Sequence, residues 1–128
     1  MKIKIPVSAG ELVDKITILK IKKKNVIDQN KKVNIDRELD FLTDIYNEIN
    51  NEKKLDGFLN KLLEVNQKLW EIEDEIRVLE RKKQFDEDFI LLARSVYIEN
   101  DKRFEIKNEI NNFLGSAIKE EKLYEDYN

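Results

Sequence analysis

The chain has 128 residues, a formal net charge of -3, 41% hydrophobic and 40% charged residues, and only three Gly and one Pro. That suffices for one domain with a core and leaves long stretches without helix breakers. The absence of Cys excludes disulfides and thiolate nucleophiles, and the absence of His removes the commonest near-neutral acid-base group and zinc ligand.

The N-terminal MKIKIPVSAG lacks the apolar core of a secretory signal, and no run approaches about 18 apolar residues, so a cytoplasmic protein without a membrane span is expected. Lys2–Ile5 reads as a short extended segment ended by Pro6. Ser8 with Glu11 forms a capping box for a first helix over about 9–27, with Leu12, Ile16, Leu19 and Val26 on one face. Its Lys20, Lys22, Lys23 and Lys24 have no interleaved aromatics and no glycine-rich phosphate loop. They read first as a solvated face, and second as a contact for an anionic partner or membrane. Residues 1–32 carry a net +6 and the remainder -9, which favours head-to-tail contacts within or between chains. The overall acidity argues against a dedicated nucleic-acid binder.

Asp28–Lys32 reads as a polar turn, and Asn34 as the cap of a second helix over about 35–50, striped by Ile35, Leu39, Leu42, Tyr46 and Ile49. Leu55, Phe58, Leu62, Val65, Leu69, Ile72, Ile76 and Leu79 then alternate gaps of three and four, which predicts a long third helix over about 55–82. Asp86 caps a fourth, about 87–114, with Phe89, Leu92, Val96, Glu99, Arg103, Ile106, Ile110 and Phe113 on its seam and a kink expected around Asn100–Asp101. Gly115 closes it, and Ser116 is expected to start a short terminal helix. A turn of a few residues between two helices about 40 Å long forces an antiparallel hairpin. The seam alone would also suit a coiled-coil homodimer.

Two seam positions are charged, Glu99 and Arg103. On the third helix Asn66, Trp70, Glu73 and Arg77 follow gaps of four, three and four, with Asp74 next outward. In a hairpin closed near residue 84, positions 66–77 lie opposite 91–102, so these clusters should meet, with Arg94 and Asp101 close by. A buried ion network that sets register is one reading, because an unpartnered buried charge is costly. A pocket for a polar ligand is the other. Glu71, Asp74 and Glu75 would supply carboxylates for a Mg²⁺-dependent helical nucleotide pyrophosphohydrolase, and the arginines could hold a dicarboxylate. Neither spacing is specific, and no metal or other cofactor is assigned.

The chain resembles the bacterial and phage family DUF6165 along nearly its full length. The resemblance rests on Ile5–Lys20, Val65–Glu80, Phe85–Tyr97, Asn100–Arg103, and Ile106–Asn111 through Gly115, Ser116, Glu120, Glu121 and Lys122. It implies no established activity, and an association of some members with surface-polysaccharide genes implies an accessory or sugar-related role. The family motifs take in Asn66, Trp70, Glu73, Asp74, Arg77, Arg94, Asp101 and Arg103, together with Ser8, Glu11, Asp14 and Lys15 of the first helix. They imply a polar site shared by the first, third and fourth helices.

The expectation is therefore an all-α antiparallel bundle built on a long hairpin, one domain over 1–128. Functionally it is a non-catalytic binding or assembly module whose candidate partners are a second copy, a partner protein or a polar small molecule. The alternative is a small helical enzyme acting on a phosphorylated or carboxylated metabolite.

Overall fold

The computed structural model describes residues 1–128. It contains α1 (Ala9–Asn25), α2 (Gln29–Ile49), a 3₁₀ turn at Asn51–Lys53, α3 (Asp56–Arg81) and α4 (Glu87–Leu114), and no strand. Residues 1–8 and 116–128 have no helix or strand. α3 and α4 form the antiparallel hairpin, and α1 packs against α2, α3 and α4.

The structure differs from the sequence reading at several places, and α1 ends at Asn25, two residues short of the expected 27. α2 starts at Gln29, because Asp28 is its cap and not part of a turn: one carboxylate oxygen accepts from the amides of Asn30 and Lys31 at 2.8 and 3.1 Å. The expected terminal helix is absent. Gly115, at φ 61°, ends α4, and the Ser116 hydroxyl accepts from the Ala9 amide at 3.2 Å instead of starting a new turn. α4 itself runs unbroken through Asn100–Asp101.

The stripe on α2 meets α1 as its spacing implies: Leu39 and Tyr46 join Leu12, Val13, Ile16 and Leu19 in the core, with Ile35, Leu42 and Ile49 packed at its margin. Leu55, Leu59, Leu62 and Ile110 complete that core from the hairpin. Each such fully buried side chain is worth roughly 1.5–3 kcal/mol. The passage from α2 to α3 is bracketed by Asp56, whose Oδ1 accepts from the Tyr46 hydroxyl at 2.7 Å and the Asn50 amide at 2.8 Å. Those two bonds hold the Asp56 carboxyl below its ordinary pKa, and burial followed by the Asp56 contact pushes the Tyr46 phenol up.

Burial divides the hairpin. The buried residues of α3 are Leu59, Leu62, Val65 and Asn66, and those of α4 are Glu99, Lys107, Ile110 and Asn111. The end of the hairpin that carries α1 and α2 is therefore a head with a core. The other end, residues 67–98, is an arm without a single buried side chain. Its turn is closed by Schellman-type bonds, Gln84 amide to Leu79 carbonyl at 2.9 Å and Lys83 amide to Glu80 carbonyl at 3.0 Å, with Lys83 at φ 56°.

Candidate functional site

The polar residues gather where α1 crosses the hairpin. Asp14 of α1 is fully buried. Its Oδ1 accepts from Arg103 Nε at 2.9 Å and from Asn66 Nδ2 at 2.8 Å, and its Oδ2 accepts from the second arm of the Arg103 guanidinium at 2.5 Å. This is a two-point pairing of carboxylate and guanidinium, the geometry arginine is built for. Asn66 also donates to the Thr17 hydroxyl at 2.8 Å, which donates in turn to the Asp14 carbonyl at 2.7 Å. Spacing of three on α1 puts Asp14 and Thr17 on the same face, so one amide from α3 bridges both.

One turn further along α4, the Lys107 ammonium, 6% exposed, lies 2.8 Å from Glu11, 3.0 Å from Glu120 and 3.7 Å from Asp14. Burial pulls its pKa down, but the bonds to Glu11 and Glu120 and the charge of Asp14 outweigh it, so the group ends above its ordinary value and stays charged. The bond to Asp14 likewise leads in raising the Arg103 pKa against burial. Another turn on, Asn111 accepts from the Gly10 amide at 2.7 Å. A side chain at Gly10 would meet Lys107 backbone carbons at 3.0 Å, so α1 approaches α4 there as only glycine permits.

The capping box at the start of α1 is half formed. The Ser8 hydroxyl accepts from the Glu11 amide at 3.1 Å, but the Glu11 carboxylate reaches Lys107 rather than turning back to the cap.

Asn66, Arg103, Ser8, Glu11 and Asp14 are thus brought together. Glu99 is buried one turn away, with Lys102 at 3.1 Å from one oxygen and no hydrogen bond to the other. Arg103 faces Asp14, while Glu73 and Arg77 face each other at 3.6 Å on an exposed flank of the arm. Trp70 is half-buried, and Asp74, Arg94 and Lys15 are exposed. Asp101 bonds Lys122 from the C-terminal segment. Thr17, Lys107, Asn111 and Glu120 were not among the candidate site residues, although Asn111 and Glu120 belong to the stretches that carry the resemblance. A signal existed for two of them: Glu99, Arg103, Lys107 and Asn111 recur every four residues along α4.

The C-terminal segment folds back along α4. Lys122 lies over the Phe104 ring at 5.6 Å, and Tyr127 meets Tyr97 edge-on at 5.0 Å. Between this segment, α4 and the start of α1 lies a cleft of about 980 Å³. Arg103, 28% exposed, and Lys107 reach its wall. No group of three or more carboxylates gathers where it could hold a metal ion. No helix is long and apolar enough to cross a membrane.

The model of a family of unknown function, DUF6165, matches residues 1–127, and the chain belongs to that family. No curated protein and no solved structure matches the chain.

Proposed function

We propose that the chain is a non-catalytic assembly module, a polar-locked head that holds out a two-helix arm. The observation that carries this reading is the arm: an apolar three-four seam with no buried residue between positions 67 and 98. Two helices alone cannot cover such a seam, and a long hairpin gains its stability from a further packed element. The continuity of α3 and α4 through head and arm supports reading the whole chain as one domain. In the head, both Asp14 oxygens are already bonded and the carboxylate is fully buried, so the acid at the centre of the network presents no exposed oxygen to a substrate.

A second reading rests on the cleft along α4. Arg103 and Lys107 at its wall would suit the phosphate or carboxylate of a small metabolite. Titration calorimetry of the full chain with sugar phosphates, nucleotides and dicarboxylates, with and without Mg²⁺, separates the two. The assembly reading expects no saturable heat. Saturable binding that Arg103→Lys weakens about tenfold or more would replace it with the metabolite reading.

A further inference from the structure

We infer that the occupant of the arm is the arm of a second copy, laid antiparallel with the two α3 helices crossing at Val78; this rests on the assembly reading and names its partner. On one side of the arm, Val78, Leu79, Leu91 and Leu92 floor an open groove of about 530 Å³, with Asp74, Glu75 and Asp88 on its rim. Leu91 is exposed, as is its neighbour Ile90.

Four charges of α3 along this side are arranged symmetrically about Val78. Asp74 and Glu75 precede it by four and three residues, and Arg81 and Lys82 follow it by three and four. Spacing of three and four keeps all five on one arc of the helix. The acids lie about 5–6 Å to one side of Val78 and the bases about 5–6 Å to the other. A twofold axis through Val78 therefore sets Asp74 against the second copy's Lys82, and Glu75 against its Arg81, twice over. A face that is its own electrostatic complement fits an isologous contact.

These four side chains make no ion pair within their own chain. The pairs formed in the arm are Arg77 with Glu73 and Lys83 with Glu80, which leave this arc free. The opposite direction of pairing, parallel arms, would put acids against acids and bases against bases, which disfavours it.

The test is sedimentation equilibrium on the full chain and on two charge-reversed variants, Asp74→Lys with Glu75→Lys, and Arg81→Glu with Lys82→Glu. All four positions are exposed, so the helix tolerates them. The expected result is a wild-type dimer that weakens with salt, dissociation constants at least about tenfold higher for each variant alone, and recovery of a heterodimer when the two variants are mixed. A wild-type monomer at about 200 µM, or a dimer unchanged by both reversals, overturns the inference. Amide exchange in the dilute monomer then tells which statement failed. An arm that exchanges much faster than the head keeps the assembly reading and requires a different occupant. An arm protected as well as the head needs no partner, and both readings fall.

Discussion

In the head, the hairpin seam meets α1, and Leu62 and Ile110 have no exposed surface; in the arm, the same spacing continues through Ile72, Ile76 and Leu79, and every one of them keeps contact with water. The two halves differ in what crosses them, not in their periodicity. α1 packs on the head end of the hairpin, while no helix crosses residues 67–98 and only Tyr127 of the C-terminal segment meets Tyr97 there, so identical patterning yields a core at one end and an unfinished surface at the other. The polar residues divide the same way. Asp14 converts Asn66 and Arg103 into a closed network, whereas Glu73 and Arg77, farther along the same hairpin, pair loosely in solvent.

The widest separation between the halves is expected from their charges. Asp14→Ala strands Arg103 and leaves Lys107 short of a partner in a buried setting, and should cost about 3–5 kcal/mol. Glu73→Ala, which breaks an exposed pair, should cost less than about 0.5 kcal/mol. Urea denaturation of the two variants measures both, and similar midpoints would mean the network does not lock the head. Apolar truncation gives the next largest contrast. Leu62→Ala should lose about 2–5 kcal/mol, and Leu79→Ala about 1 kcal/mol in dilute protein because its site is already half open. The Leu79 deficit should grow with protein concentration if a second arm covers that position, which sharpens the comparison into a statement about assembly.

The approach of α1 to α4 tests a smaller term. Alanine is the better helix former by about 1 kcal/mol, so Gly10→Ala would stabilise an isolated α1. Here the added carbon meets the Lys107 backbone, and a net loss of about 1–3 kcal/mol is expected in thermal or urea unfolding. A neutral or stabilising result would mean that α1 shifts freely along α4.

The hairpin was legible because it depends on local periodicity and on caps. Gaps of three and four placed α3 and α4 within a residue of their ends, and Asp86 and Gly115 mark the boundaries of α4. The antiparallel register brought Asn66 toward Arg103 correctly. What it lacked was the mediator: Asp14 and Thr17 lie about fifty residues or more away in sequence, and no periodicity in the hairpin reveals which face of it α1 will cover. The start of α2 was obscured because Asp28 opens turns and helices equally well, and the hydrophobic stripe begins only after the first turns are already helical. The missing terminal helix follows from length. Residues 116–123 are too few to form a stable helix without packing, and Lys122 bonds Asp101 from an irregular backbone instead.

That irregular segment gives the smallest effect and a direct pH signature. The bond from Lys122 leads in holding the Asp101 carboxyl below its ordinary value of 3.8, with burial opposing and the Tyr127 hydroxyl assisting. A carboxyl depressed in the folded state stabilises the attachment fully above its ordinary value, and that contribution disappears as pH falls through the depressed one. The Tyr127 phenol is raised above its ordinary 10.0, by burial first and by Asp101 next, so its contribution is complete below that value and is lost as pH rises through the raised one. The segment should therefore stay docked from mildly acidic to mildly alkaline pH and release at both extremes. The ring resonances of Tyr97 and Tyr127, 5.0 Å apart, report this by NMR. Asp101→Asn should abolish the acid-side change and leave global unfolding almost unaltered. Persistence of the acid transition in that variant would mean that Asp101 does not set the release of the segment.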